Sequence, residues 1–197
     1  MVVDNPEPAM VTAGVAVPVP EPWGAQLQQA RIRFGDTRAA QIPTHITLLP
    51  PTALPAQTLP DLREHLRDVV CDHPAFPVVL RGTGTFRPVS DVVFIQVAQG
   101  VASCEVLEAR VRGGPVGGEL AFPYHPHVTV AHDIDRAGLD QAFVDLAGFR
   151  CAFEAELVRL YVHNGDHQWR RDADFALNGA GTPWVSAPQP AGRRSEP

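Results

Sequence analysis

The chain has 197 residues, of which 45% are hydrophobic and 19% charged, and its formal net charge at pH 7 is -6. This length and composition are typical of one compact globular body and exclude a large multidomain enzyme. The acidic charge excludes long, nonspecific binding to nucleic acid and a DNA duplex as partner, because neutralising many phosphates requires a basic surface. A small or terminal phosphate remains a compatible ligand.

The two ends differ in composition from the rest of the chain. Residues 1–9 are polar and contain proline, and residues 181–197 have the Pro, Ser and Arg composition of a disordered tail. No stretch approaches the roughly 20 apolar residues of a membrane span, and the N-terminus lacks a secretory signal pattern. We expect a flexible N-terminus, a domain over residues 10–180 and a disordered tail, in a cytoplasmic monomer without membrane contact.

The middle of the chain alternates between strand-like and helix-like patterns. In chain order, the predicted elements are a strand at 10–19, a helix at 23–34, a strand at 42–49 closed by two prolines, a helix at 59–70, a hairpin of strands at 76–86 and 92–98, a helix at 101–111, a mobile glycine-rich loop at 113–118, a strand at 126–131, a helix at 135–149, and a hairpin of strands at 152–162 and 169–177. The order strand, His-x-Thr strand and helix occurs twice, which predicts a two-lobed, pseudo-symmetric α+β body.

Two of these strands carry the same motif. It reads His-Ile-Thr-Leu at residues 45–48 and His-Val-Thr-Val at residues 127–130. Because side chains alternate across a strand, the histidine and threonine of each motif face one way and the apolar residues face the other. Two residues along a strand span roughly 6–7 Å, so each His/Thr pair can contact different oxygens of one phosphate.

The chemistry that suits this pair of motifs is displacement at phosphorus. Such a reaction needs a base for the incoming oxygen, an acid for the departing oxygen and donors for the remaining oxygens. With an ordinary pKa of about 6.5, His45 and His127 can share the two proton-transfer roles near neutral pH, and no metal or cofactor is required. One His-x-Thr alone is more often a structural histidine, but two copies in apolar strands favour catalysis.

With these motifs the chain resembles the 2H phosphoesterase superfamily, which includes the 2'-5' RNA ligase-like proteins and the RNA 2',3'-cyclic phosphodiesterases. The matching segments are 43–51 and 124–131, supported by 84–86 and by the closing pattern that ends at 177. The resemblance implies a bilobal fold in which two antiparallel sheets line a central cleft, with helices outside. It also implies opening of cyclic phosphates on nucleotides or RNA ends, with 2'-5' ligation as the reverse reaction.

The resemblance assigns catalysis to His45 and His127 and substrate binding to Thr47 and Thr129. Tyr124 and Phe86 are further substrate-binding candidates, because aromatic rings stack on nucleobases, with ordinary packing as the alternative. Four arginines lie in segments expected to border the cleft, and the sequence does not select among them: Arg38, Arg81, Arg87 and Arg159.

Two alternative functions remain open from the sequence. His125, His127 and His132, with Asp133 beside them, have a spacing that suits a metal site, although this interpretation leaves the first motif unexplained. A noncatalytic protein that binds nucleotides or RNA ends would use the same cleft for recognition. The cysteines Cys71, Cys104 and Cys151 lack a C-x-x-C spacing and are interpreted as reduced core residues.

Overall fold

A computed structural model describes residues 8–179, so most of the predicted N-terminal segment 1–9 and the predicted tail 181–197 lie outside the described residues. The elements, in chain order, are β1 Met10–Pro18, α1 Trp23–Arg33, a 3-10 helix Thr37–Ala40, β2 His45–Pro55, a 3-10 helix Ala56–Thr58, α2 Leu59–Cys71, β3 Phe76–Thr85, β4 Val92–Gln99, α3 Val101–Arg112, β5 His127–His132, α4 Arg136–Asp145, β6 Arg150–Ala155, β7 Leu157–His163 and β8 Arg170–Ala176. The predicted order of strands and helices is confirmed except at 152–162, where one strand was predicted and two are found.

The strands form two antiparallel sheets of four strands each, in the orders β2-β1-β7-β8 and β5-β4-β3-β6. In the first sheet, β1 is followed by α1 and then by the antiparallel edge strand β2. In the second sheet, β4 is followed by α3 and then by the antiparallel edge strand β5. The predicted α+β class and its two related lobes are therefore confirmed, and β2 and β5, which carry the motifs, lie against each other.

Burial of apolar side chains explains why these segments adopt their structure. Five consecutive residues of β1, 13–17, are buried, as expected for a strand in the middle of a sheet that is covered on both faces. In α2, Leu62, Leu66 and Val69 form one buried stripe at helical spacing. Among residues 8–179, no helix is long and apolar enough to cross a bilayer.

The first motif strand continues beyond the point where the prolines were expected to end it. β2 runs through Pro50 and Pro51 to Pro55, and the pairing with β1 shifts register between Ala13 and Val15. Proline lacks a backbone N–H, but an edge strand has one row of backbone groups without a neighbour and tolerates it. The irregular register absorbs the two prolines without ending the strand.

The predicted strand 152–162 is two strands that belong to different sheets. β6 pairs with β3 in the second sheet, whereas β7 pairs with β1 and β8 in the first. Only Glu156 separates them, and the alternation changes phase there, from buried Phe153 and Ala155 to buried Val158 and Leu160. The fourth helix is also shorter than expected, because α4 ends at Asp145 and turns follow it.

The cysteine prediction is correct for two of the three side chains. All three are free, and Cys104 and Cys151 are buried. Cys71 is exposed, because it is the last residue of α2 and lies outside the buried stripe of that helix.

Candidate active site

The alternation of side chains along β2 and β5 turns both motifs toward one cleft. The apolar members are buried: Ile46, Leu48, Val128 and Val130. The polar members are half-buried on the other face: His45, Thr47, His127 and Thr129. Strand geometry alone therefore produces two matching rows of imidazole and hydroxyl groups.

The two motif histidines make the same hydrogen bond. His45 Nδ1 lies 2.7 Å from the Pro43 carbonyl oxygen, and His127 Nδ1 lies 2.7 Å from the His125 carbonyl oxygen. A carbonyl oxygen only accepts, so each Nδ1 carries the hydrogen and donates it. Each Nε2 is left as the nitrogen that can exchange a proton, and in the described part of the chain neither Nε2 has a hydrogen-bond partner.

The segment that leads into the first motif is tied to α1. Thr44 is buried and its hydroxyl donates to the Gly24 carbonyl at 3.1 Å. Gln28 Nε2 donates to the carbonyls of Ala39 and Ile42. These contacts fix the backbone on both sides of the carbonyl that holds the His45 ring.

Two cavities form the cleft, and Thr47 lines both. We call the first, of about 270 Å³, the arginine side; its walls include Arg31, Arg38, His45, Thr47 and Thr129. We call the second, of about 540 Å³, the aromatic side; its walls include Thr47, Phe86, Phe122, Tyr124 and His127. The arginine side is thus lined by residues of both motifs. Because Thr47 lines both cavities, the arginine side adjoins the cavity that His127 lines.

The electrostatic environment differs between the two imidazoles. Burial lowers the pKa of His45 to about 4, and the neighbouring charges of Arg31 and His127 act in the same direction as burial. Burial also lowers the pKa of His127 below the ordinary value of 6.5. The charge of a protonated His127 is one cause of the lowered pKa of His45, so the two rings are close enough to interact.

Arg31 was not identified from the sequence. It is 5% exposed, and its guanidinium is paired with Asp36 at 2.9 Å. A signal was present, because Arg31 follows Leu27 and Ala30 at helical spacing and so occupies the buried face of α1. A charged residue in an apolar stripe requires a partner or a function, and Arg31 has a partner and also lines the cleft.

Of the four candidate arginines, Arg38 lines the cleft and the other three line neither side. Arg87 forms an ion pair with Asp140, and Arg159 forms one with Asp174. Arg81 is exposed on β3.

Tyr124 and Phe86 both line the aromatic side, but each also has a structural contact. The Tyr124 hydroxyl donates to the Thr47 carbonyl oxygen at 2.9 Å, which links the second lobe to the first motif strand. The Phe86 ring lies 5.0 Å from the His127 ring in an edge-to-face arrangement. Stacking of a nucleobase on either ring stays a prediction.

The aromatic packing around His127 explains the glycine at position 84. The ring of Phe94 lies 5.1 Å from the ring of His127 and 4.5 Å from that of Phe86. A Cβ at Gly84 would lie 2.5 Å from the Phe94 ring, closer than nonbonded carbon atoms approach in proteins. Glycine at this position of β3 therefore lets Phe94 support the second motif.

The alternative metal site does not form in the described residues. His125 and His127 stack with ring centroids 6.2 Å apart, and the Nδ1 of His127 is already used by a carbonyl. Between residues 8 and 179, no three His, Cys, Asp or Glu side chains are grouped so that they could hold a metal ion.

Another cavity, near the end of β1, has a volume of about 610 Å³ and is larger than either side of the cleft. No motif histidine lines it, so it is not the candidate active site.

Known proteins share the sequence pattern of this chain. The model of the 2'-5' RNA ligase superfamily matches residues 18–167. The chain is 25% identical over 154 residues to a protein of Oceanobacillus iheyensis named "Putative phosphoesterase OB1230", a match that covers 77% of this chain and 89% of that protein.

Two crystal structures resemble the fold. TT0787 of Thermus thermophilus is 22% identical with a TM-score of 0.60, over 86% of this chain and 100% of that chain. Escherichia coli LigT complexed with 3'-AMP is 19% identical with a TM-score of 0.60, over 85% of this chain and 98% of that chain. At sequence identities of 22% and 19%, these two structures show that the fold is shared.

Proposed function

Because the chain belongs to the 2'-5' RNA ligase superfamily, whose model matches most of its length, we propose that it is a phosphodiesterase that opens 2',3'-cyclic phosphates of nucleotides or RNA ends. The observation that carries the proposal is the pair of identical His/Thr rows around one cleft, each with an Nε2 that no described residue engages in a hydrogen bond. The complex of LigT with 3'-AMP supports a nucleotide as the ligand. The free cysteines are compatible with the cytoplasm.

In the proposed reaction His45 is the general base and His127 the general acid. Burial and the cation of Arg31 keep His45 neutral by lowering its pKa, which suits a base. Its Nε2 takes a proton from water, the water oxygen forms a bond to phosphorus, and the bond from phosphorus to one ribose oxygen breaks. The Nε2 of His127 gives its proton to that ribose oxygen, and Thr47 and Thr129 donate to the nonbridging oxygens.

The same site supports ligation. A 5'-hydroxyl in place of water would lose its proton to one imidazole, and its oxygen would form a bond to phosphorus. The bond from phosphorus to O3' would break and O3' would take a proton from the other imidazole, which leaves a 2'-5' linkage. Cleavage of that linkage is the reverse reaction. Both directions use the same two imidazoles with their roles exchanged.

The proposal is tested by incubating the full chain with 2',3'-cyclic AMP in EDTA and separating the products by chromatography. We expect conversion to one adenosine monophosphate, at a rate that EDTA does not change, because every group in the scheme belongs to the protein. Binding of the cyclic nucleotide without turnover would contradict the proposal and favour a binding protein. Turnover that EDTA abolishes and Zn²⁺ restores would favour the metal alternative.

The pH dependence of kcat/KM follows from the two lowered pKa values. The base must be unprotonated, which holds above the pKa of His45 at about 4. The acid must be protonated, which holds below the pKa of His127, itself lower than 6.5. We therefore expect a bell-shaped profile for the free enzyme with its maximum between these limits, and the two apparent values belong to the coupled pair. A maximum above about pH 7 would contradict the assigned environment.

A further inference from the structure

In the part of the chain that the structure describes, the arginine side of the cleft is lined by two arginines and by no carboxylate, in a protein that is acidic overall. The chain has a formal net charge of -6, yet none of the described residues that line this cavity is Asp or Glu. Arg31 and Arg38 contribute its charge, and Gln41 adds an amide. Among the described residues that line the aromatic side, in contrast, the only Asp, Glu, Lys or Arg is the buried Glu108. Its carboxylate pairs with Arg112. The two sides therefore suit chemically different parts of a ligand.

Asp36 organises both arginines of this cavity. Its Oδ2 accepts from Nε and Nη2 of Arg31 at 3.0 and 2.9 Å, and its Oδ1 accepts from the backbone N–H of Arg38 at 2.9 Å. In the described part of the chain, Nη1 of Arg31 has no hydrogen-bond partner. A buried guanidinium that is fixed on one edge and free on another is preorganised to bind an anion.

Arg38 is held at the rim of the cavity by a contact that an anion can replace. Its guanidinium lies 2.9 Å from Asp133, and both side chains are about half exposed, 55% and 52%. Such solvent-exposed pairs are weak, since water screens both charges. Asp133 directly follows β5 and has φ 53°, a left-handed conformation that Asp tolerates. Because Arg38 precedes β2 and Asp133 follows β5, the pair links the two lobes.

We propose that the arginine side binds a second phosphate of the substrate, next to the phosphate held by the motifs. This inference rests on the proposed function and narrows its substrate to nucleotides that carry another phosphate. In the complex, the Arg38 guanidinium leaves Asp133 and binds the second phosphate, and Nη1 of Arg31 donates a hydrogen bond to the same phosphate. Guanidinium groups suit this role because they form paired, charge-assisted hydrogen bonds with phosphate oxygens. The second phosphate is either a 5'-phosphate on the same nucleoside or the preceding phosphodiester of an RNA end.

Three substrates distinguish these sources: adenosine 2',3'-cyclic phosphate, its 5'-phosphorylated form, and the dinucleotide ApA with a 2',3'-cyclic end. We expect kcat/KM to be about 10-fold or more higher for at least one of the last two than for the first, as one charge-assisted contact permits. Preference for the second compound identifies a 5'-phosphate, and preference for the third identifies the internal phosphodiester. Equal kcat/KM for all three would overturn the inference.

The variant Arg38→Gln should reduce this preference to about 3-fold or less, because it removes the charge and leaves the polar contact. Arg67→Gln, an exposed change on α2 that lines neither side of the cleft, is the matched control and should keep the wild-type preference. A preference that Arg38→Gln leaves at the wild-type value would overturn the role of Arg38. Denaturation midpoints of both variants show whether they remain folded.

Binding measurements separate this inference from the proposed reaction. By calorimetry, adenosine 2',5'-bisphosphate should bind about 10-fold or more tightly than 2'-AMP, and Arg38→Gln should reduce this difference to about 3-fold or less. Such a preference without turnover of any cyclic substrate would support the second phosphate site and contradict the proposed reaction. If the protein turns over all three cyclic substrates but binds 2'-AMP and adenosine 2',5'-bisphosphate with equal Kd, the proposed reaction is supported and the second phosphate site is contradicted.

Discussion

Replacing either motif histidine by alanine is expected to lower kcat/KM for a 2',3'-cyclic nucleotide by about 10²–10⁴-fold, the usual contribution of one positioned proton-transfer group. In the proposed reaction, His45→Ala would remove the base that activates water, and His127→Ala would remove the acid that protonates the ribose oxygen. Each loss is large because the carbonyl that fixes Nδ1 has placed Nε2 in advance. Steady-state kinetics in EDTA measure both values.

His65→Ala is the matched control for these variants. His65 lies on α2, its Nε2 donates to the Arg110 carbonyl oxygen at 2.9 Å, and it lines neither side of the cleft. Its replacement should leave kcat/KM within about 3-fold of the wild type, as expected for a side chain away from the chemistry. Losses of equal size in all three variants would point to misfolding rather than to proton transfer.

A substrate with a good leaving group separates the two roles. Bis(p-nitrophenyl) phosphate releases an anion that needs little protonation, so the general acid contributes less to its hydrolysis. The loss caused by His127→Ala should therefore shrink on this substrate, while the loss caused by His45→Ala persists. The opposite pattern would exchange the two assignments.

Replacing either motif threonine by valine is expected to lower kcat by about 10²–10³-fold, the cost of losing one preorganised donor to a developing negative charge. Valine keeps the branched shape and the strand preference of threonine, so the change removes the hydroxyl and little else. Thr47→Val retains the backbone carbonyl that Tyr124 contacts, which keeps the two lobes linked. Single-turnover kinetics give the rate of the chemical step.

The control for the threonine variants is Thr12→Val. Thr12 is also a half-buried strand threonine, on β1, and lines neither side of the cleft. Its replacement should change kcat by less than about 3-fold, since no substrate contact is lost. A fall of only that size in Thr47→Val and Thr129→Val would show that the hydroxyls do not contact the reacting phosphate.

The parts of the site that depend on strand periodicity could be predicted from the sequence. The alternation of polar and apolar residues in β2 and β5 determines which face His45 and His127 occupy, and the repeat of the motif predicts two related lobes. The local pattern also placed the helices, because their buried stripes have helical spacing.

The features that the sequence did not predict depend on long-range contacts. Glu156 lies where the chain crosses between sheets, and the local pattern does not determine which strand each half pairs with. The role of Arg31 depends on Asp36 and on a cavity that exists only after folding. Tyr124 was a candidate for stacking on a base, with ordinary packing as the alternative, and the structure adds a contact of its hydroxyl with Thr47 from 77 residues away.

The central claim is that both imidazoles contact one phosphate, and titration of the protein with inorganic phosphate, followed by ¹⁵N NMR of the histidine side chains, tests it most directly. The resonances are assigned with the His45→Ala and His127→Ala variants. We expect the Nε2 signals of both rings to shift together with a single Kd, because one anion lies between them. Shifts of one ring alone, or two different Kd values, would show that the motifs do not share a phosphate.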